Sequence, residues 1–353
     1  MHTLLRGAIS RAGGWLPFDR FMALALYAPG LGYYANDSRK FGQLPDSGSD
    51  FVTAPEVSPL FGQALAAAVA DAMDVTACDE VWEFGAGSGA LAAQLLQALG
   101  DRVRRYTIVE LSASLRERQQ QALAMHGSRV QWIDELPVRM RGVVVGNEVL
   151  DAMPVKLLAR RAGAWHERGV AWEGEGLAWA DRATDLRPPV AIAGDHDYLT
   201  EIHPQAQAFV RTLADRLEQG AAFFLDYGFP EAEYFHPQRH MGTLMCHRGH
   251  RSDPDPLEAV GQKDITAHVD FTGIALAAQE AGLPTLGYTS QARFLLNCGL
   301  AHALTEAPLA QRVAAQRLIT EHEMGELFKV IAFHKGAYWD AIGFSCGDRT
   351  ATL

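Results

Sequence analysis

The spacing of apolar positions changes period several times along the chain, and each change marks an element. In residues 1–75 the apolar positions recur at helical spacing. PFDRFMALALYA, with Pro17 near its start, and LFGQALAAAVADAM are predicted helices. Between them runs PGLGYYANDSRKFGQLPDSGSDFVTAPEVSP, rich in Gly, Pro, Asp and Ser and too long for a simple connection; its aromatics Tyr33, Tyr34, Phe41 and Phe51 predict an ordered, functional loop. Short apolar runs then alternate with helical patterns. EVWEFG predicts a strand, GALAAQLLQALG a helix stopping at Gly100, RYTIVEL a strand, SASLRERQQQALAM a helix with Ser112 as N-cap, RVQWI a short strand and GVVVGNE another. Strands separated by helices imply a parallel sheet with right-handed crossovers. The runs VVVG and AAFFLDYG are apolar throughout, as in strands buried on both faces.

This rhythm breaks over residues 154–203, where Trp165, Trp172, Trp179 and several glycines predict a β-rich insertion. QAQAFVRTLADRLEQG is then a predicted helix stopped by Gly220, AAFFLDYG a strand, and residues 230–270 a long loop rich in His, Arg, Pro and Asp. A helix (DFTGIALAAQEAGL), a strand (PTLGYTSQ), a mostly helical stretch over residues 291–324 and a last strand (ELFKVIAFHKG) follow. The organisation expected is a helical N-terminal cap with a covering loop (1–75), an α/β core (76–153 and 204–230), the insertion (154–203), substrate-side insertions (231–270 and 291–325) and the last core elements (271–290 and 326–335).

Composition narrows the function. Hydrophobic residues at 48% and charged residues at 21% exclude wholesale disorder. A net charge of −11 argues against a nucleic-acid partner, which needs a positive field to displace counterions. Cys78, Cys246, Cys298 and Cys346 form no C-x-x-C pair and no disulfide framework, and no apolar run is long enough to span a membrane. A cytoplasmic protein without a membrane partner is expected. His240, Cys246, His247 and His250 lie close together, but their spacing matches no standard zinc pattern, and no metal is expected.

The sharpest chemical signal is the turn Glu83-Phe84-Gly85-Ala86-Gly87-Ser88-Gly89 between a strand and a helix. Glycines let the backbone turn tightly and let a ligand lie on bare main chain. Glu110 ends the next strand, about 20 residues beyond the last glycine, where a carboxylate accepts hydrogen bonds from a ribose diol. Gly85, Gly87 and Ala90 fit a dinucleotide motif; Glu83, Gly85, Gly87 and Gly89 fit an S-adenosylmethionine motif. Glu83 favours the second, because a carboxylate repels a pyrophosphate and attracts an ammonium or sulfonium. Ile133 and Asp134, after the third strand, offer an apolar contact and an acceptor for an adenine.

A second constellation, Gly146-Asn147-Glu148-Val149-Leu150-Asp151, leaves the fourth strand at the end that faces the ligand crevice in open α/β sheets. Glu148 and Asp151 are spaced to share a face of one helical turn, where two carboxylates could clamp a planar guanidinium and orient one nitrogen toward a methyl donor. With Asn147 they form the candidate catalytic set. Asp226 and Tyr227, at another strand end, and His268 are candidate substrate contacts.

In these blocks the chain resembles the MidA-like methyltransferases, whose mitochondrial members assist assembly of respiratory complex I. SDFVTAPEVSPLFGQ, VWEFGAGSGALA, VVVGNEVLDAMPV, FFLDYG, GTLMCHRGH and KDITAHVDFT read as family blocks in the family's order, with His247 where a Tyr is usual. The resemblance implies a class I methyltransferase fold, α/β and doubly wound, with a mostly parallel sheet whose last strand is antiparallel. It implies S-adenosyl-L-methionine as cofactor and methyl transfer to an arginine of a protein substrate, a complex I subunit or an analogue. It places Gly85 and Gly87 in the cofactor motif, Glu110 on the ribose, and Thr53, Pro55 and Glu56 in a loop covering cofactor or substrate. A non-catalytic assembly chaperone that keeps the fold, and an NAD-dependent enzyme, are the alternatives.

Overall fold

The computed structural model describes residues 1–36 and 52–353; Phe41 and Phe51 of the expected functional loop lie outside the described residues. The alternating runs fold into β1 (Glu80–Phe84), β2 (Arg105–Val109), β3 (Val130–Ile133), β4 (Met140–Asn147), β5 (Leu217–Phe229), β6 (Thr285–Ser290) and β7 (Phe328–Lys335). They form one sheet in the order β6-β7-β5-β4-β1-β2-β3, with a two-residue strand, Val269–Asp270, added beside β5. β1 to β5 pair in parallel, and β7 runs antiparallel to both β5 and β6. The strand order reverses between β1 and β4, which opens a crevice at their carboxyl ends.

The side-chain period of two along β5 feeds two cores. Ala221, Phe223 and Leu225 face one side; Ala222 and Phe224 face the other. All five are fully buried, and each buried Phe contributes about 1.5–3 kcal/mol. Two further helices open the chain, α1 (His2–Arg11) and α2 (Phe18–Tyr27). The first face of the sheet is covered by α3 (Leu60–Thr76) and α4 (Ala90–Leu99), and α5 (Ala113–Ala122) follows β2 with Ser112 as its N-cap. The opposite face is covered by α6 (Pro204–Arg216) and α7 (Phe271–Glu280). α3, grouped with the cap by its sequence position, packs on α4 and the sheet, because its alanine-rich face is apolar enough to join that core.

The cap proper is smaller and is joined to the insertion. The strand Trp15–Pro17 pairs antiparallel with Ala164–Glu173, which also pairs with Lys156–Arg161 and Gly176–Ala183. Phe18, Phe21, Leu157 and Val170 share a core with Cys246 and Ile265. Residues 230–270 therefore do not form a simple loop: Met245–Arg248, Arg251–Asp253 and Asp264–Thr266 make a small antiparallel sheet whose apolar side seals this third core. Among the described residues, no helix is long and apolar enough to cross a membrane.

The helix predicted to stop at Gly220 ends at Arg216 instead. Leu217 already pairs with Met140, and Gly220 sits inside β5 at φ +138°. A Cβ there would lie 1.8 Å from the carbonyl oxygen of Gly142, so this glycine allows close approach of two strands and is not a cap. Gly220→Ala is expected to lower the unfolding free energy by about 3 kcal/mol, read as a lower urea midpoint at unchanged slope. An unchanged midpoint would contradict the crowding argument.

Candidate active site

The carboxyl ends of β1, β2, β4 and β5 open into a cavity of about 1590 Å³ that is also lined by α2 and by Gly242–Met245. Ligand pockets usually measure about 300–1,000 Å³, so this one has room for a cofactor and part of a second molecule.

Its first wall is the glycine turn after β1. Gly85, Gly87 and Gly89 have φ of +63°, +53° and +84°, and a Cβ on Gly85 would stand 2.9 Å from Val149 Cγ2. The turn thus requires glycine twice over, for conformation and for space. Gln119, fully buried on α5, locks the turn to the next strand end. Its Nε2 donates to the Gly87 carbonyl (3.0 Å) and to Glu110 Oε2 (2.9 Å). Trp132 Nε1–H can only donate, and it reaches Gln119 Oε1 at 3.0 Å, which fixes the amide orientation. Glu110 also accepts from the Ser112 N–H (2.8 Å). A carboxylate offers about four lone-pair sites, so capacity for a diol remains beyond these protein donors. Burial raises its pKa despite those hydrogen bonds.

Glu83 lines the same cavity, almost wholly buried, and accepts from the fully buried Tyr106 hydroxyl at 2.6 Å. Burial pushes it up to about 8, and the neighbouring Glu110 charge adds to that. No cation pairs with it among the described residues.

The block after β4 departs from the expected helical turn. Glu148 has φ +54°, a strained conformation for a residue with a side chain, and residues 148–153 contain no helix. Asp226 causes this. Its Oδ2 gathers the N–H groups of Val149 (3.1 Å), Leu150 (2.8 Å) and Asp151 (3.3 Å), while Oδ1 accepts from the Tyr227 N–H (3.0 Å). Asp226, expected as a substrate contact, is therefore buried beneath the site and outside the cavity lining; it shapes the loop. Asn147, Glu148, Asp151 and Tyr227 do line the cavity. Asn147 Nδ2 donates to Glu148 Oε1 (3.0 Å), and the Tyr227 hydroxyl donates to Asp151 Oδ2 (2.5 Å). Among the described residues, the buried acceptors Asn147 Oδ1 and Asp151 Oδ1 have no hydrogen-bond partner. Burial, with the charge of Asp151, pushes Glu148 up to about 8; burial pushes Asp151 up to about 6.

Other expected residues are placed unevenly. Thr53 and Pro55 line the cavity; Glu56 does not. Asp134 is exposed at the rim, and the apolar contacts there come from Leu111 and Leu136, with Ile133 outside the lining. His268 lines the cavity with its ring 5.2 Å from those of Tyr227 and Phe229; burial pushes it down to about 4, so it is neutral at pH 7. Tyr27, Gln119 and Tyr106 were missed by sequence reasoning. The Tyr27 hydroxyl donates to the Ala152 carbonyl (2.9 Å), Tyr34 donates to Asp264 (2.8 Å), and the two rings stack at 5.6 Å. Of the His/Cys group, Cys246 is buried with its thiol pushed up to about 12, and His247 lines the cavity. Among the described residues no three His, Cys, Asp or Glu side chains are placed to hold a metal ion.

Comparison with known proteins agrees with this geometry. Residues 64–289 match the model of a family described as S-adenosyl-L-methionine-dependent methyltransferases. A crystal structure of a superfamily member from Burkholderia thailandensis, bound to S-adenosyl-homocysteine, is 50% identical with a TM-score of 0.95, covering 99% of this chain and 96% of that one. The mitochondrial protein arginine methyltransferase NDUFAF7 of Danio rerio is 27% identical over 327 residues, 82% of this chain and 74% of its own length. Its Caenorhabditis elegans homolog is 26% identical over 333 residues, 83% of this chain and 75% of its own length. The bare glycine backbone and the spare lone pairs of Glu110 suit the adenosyl group of that cofactor. The chain belongs to the MidA-like family of S-adenosyl-L-methionine-dependent methyltransferases and carries its class I α/β fold.

Proposed function

We propose that this methyltransferase acts on an arginine side chain of a protein, clamped by Asn147, Glu148 and Asp151. The observation that carries the reading is a pair of buried acceptors, Asn147 Oδ1 and Asp151 Oδ1, that have no hydrogen-bond partner among the described residues and flank a carboxylate in the same cavity. A guanidinium brings five N–H donors in a fixed plane and no acceptor, which suits three acceptors on one short loop. The names of the curated relatives support the same target. By the family resemblance, the methylated protein is a respiratory complex I subunit or an analogue. The reading keeps the enzyme in the cytoplasm, where its free cysteines stay reduced.

The sulfonium of the cofactor supplies an already activated methyl group. The chain's task is to position and desolvate the nucleophile. Glu83, at the mouth of the glycine turn, faces the cationic donor, and Glu110 accepts from its ribose. Glu148 and Asp151 hold the guanidinium so that one nitrogen faces the donor. Since the guanidinium pKa exceeds about 12, its proton leaves late, to Asp151 or Glu148 or to water. His268, neutral, accepts a hydrogen bond at the substrate side.

With methyl-labelled S-adenosylmethionine and a lysate lacking the endogenous enzyme, wild-type protein is expected to place label in methylarginine of an acid hydrolysate. Glu148→Gln should lower that transfer about a hundredfold while cofactor affinity stays within about threefold. Label in another amino acid, or none, refutes the arginine reading.

The pH dependence follows from the raised acids. Glu83 and Glu148 titrate near 8 when folded but near 4.5 when unfolded, so the folded chain holds more protons between those values. Ligand-free stability should fall as pH rises from about 4.5 to 8 and level off above. The cationic donor should offset this loss. The melting shift given by S-adenosylmethionine, minus that given by S-adenosyl-homocysteine, should grow by a few degrees from pH 6 to 9, and should flatten in Glu83→Gln. A pH-independent difference would remove Glu83 from the donor site.

A further inference from the structure

Arg239 and the exposed Arg20 are the two arginines in the lining of a cavity whose other charged groups are mainly acids. Arg239 lies in the turn after the short helix Glu231–Tyr234, with its N–H bonded to the His236 carbonyl at 2.8 Å. Its side chain lines the cavity and is half-buried. The guanidinium carbon stands 3.8 Å from the centre of the Phe229 ring, the last residue of β5. Among the described residues, no carboxylate or carbonyl accepts from its five donors, whereas the neighbouring Lys329 is paired with Glu326. Stacking fixes the plane of the fork and leaves its whole hydrogen-bonding edge unused.

The segment that carries it is rigid. Glu201, fully buried, accepts from the Tyr234 hydroxyl (2.9 Å) on one side of Arg239 and from the N–H groups of Thr243 (2.8 Å) and Leu244 (3.1 Å) on the other. A Cβ on Gly242 would stand 2.5 Å from that carboxylate, so the turn is pressed against it.

The position separates Arg239 from the adenosyl donor. The glycine turn leaves β1, and Phe229 ends β5, two places along the sheet. With strands 4.7–4.9 Å apart, the two sites are separated by roughly 10 Å. Arg239 is instead on the His268 side: both side chains contact the Phe229 ring, and His268 is held down first by burial and next by the Arg239 charge. The Tyr227 ring, bonded to Asp151, is the next contact toward the carboxylates.

We propose that Arg239 forms a carboxylate subsite that binds an acidic residue flanking the target arginine in the polypeptide substrate. The proposal rests on the arginine reading above and adds a selection rule to it. The carboxylates alone would accept any cationic side chain; a fixed guanidinium beside them favours a segment that presents a cation and an anion in tandem. In an extended peptide rising about 3.3 Å per residue, the acid falls within roughly three residues of the target.

Fluorescence anisotropy on the full chain saturated with S-adenosyl-homocysteine tests this. The probes are labelled peptides with a central arginine and one Asp or Asn at each of the flanking positions in turn. At one position the wild type should bind the Asp peptide about tenfold tighter than its Asn twin. Arg239→Gln should abolish the difference, and Arg239→Glu should transfer the preference to a Lys twin. Equal affinity for Asp and Asn peptides at every position in the wild type overturns the proposal, as does a preference that survives Arg239→Gln. A tenfold loss of S-adenosyl-homocysteine affinity in Arg239→Gln assigns the guanidinium to the cofactor and also overturns it. If replacing the central arginine by leucine leaves affinity unchanged, the arginine reading fails; an Asp preference retained in those same peptides keeps the subsite.

Discussion

Carboxylates buried without counter-cations are the constraint around which this site is built. Glu83, Asp151 and Asp226 are all nearly inaccessible, and among the described residues they are met by hydroxyls and backbone amides. Taking an ionised carboxylate out of water is expensive unless a positive charge or several donors replace the lost hydration. At these acids the described residues supply donors and no paired cation, so burial moves Glu83, Glu148 and Asp151 upward in pKa. A group in that state has its strongest interaction still unmade, and a cation entering the cavity makes it. The sulfonium donor of a methyl transfer brings one.

The same constraint explains the local backbone. A loop with Glu148 in the left-handed region persists only where its surroundings over-determine it. Asp226 does so by collecting consecutive amides, which turns Asp151 toward Tyr227; among the described residues one oxygen of Asp151 and one of Asn147 have no donor. Asp226 is thus a positioning residue: it lies outside the cavity lining, yet through the wall residues it bonds it sets where the cavity's acceptors stand.

What was legible in the sequence follows the reach of each interaction. The glycine turn could be read because its cause is local: three positive φ values within five residues need glycine wherever they occur. The Ser112 cap is local too. The acids after β4 were readable as chemistry but not as shape, since the residue that bends the loop is Asp226, some 75 positions later. Asp226 itself was misread for the same reason: a strand end facing the crevice gives no hint that neighbouring amides will consume the side chain. Tyr106, which meets Glu83 from 23 residues away, and Tyr27, which meets Ala152 from 125 away, carry no pattern of their own. The family blocks located the segments; the division of labour among their side chains is a property of the folded pairing.

The cap belongs to the same electrostatic system. Tyr27 and Tyr34, stacked on one another, tie α2 and its following turn to the Ala152 carbonyl and to Asp264. Their hydroxyls are held far above their ordinary range, first by desolvation and next by the Asp264 charge, so they act only as neutral donors. Were the cap to lift, water would reach Glu148 and Asp151, their pKa values would relax toward ordinary carboxylates, and the free energy held in the desolvated acids would go to hydration rather than to a bound cation. Packing of Phe18 and Phe21 against the insertion, remote from the reacting groups, holds that wall of the cavity in place. Cap, insertion and small sheet share one core because the cavity needs a continuous wall facing the strand ends, and only elements packed on one another can exclude water along its length.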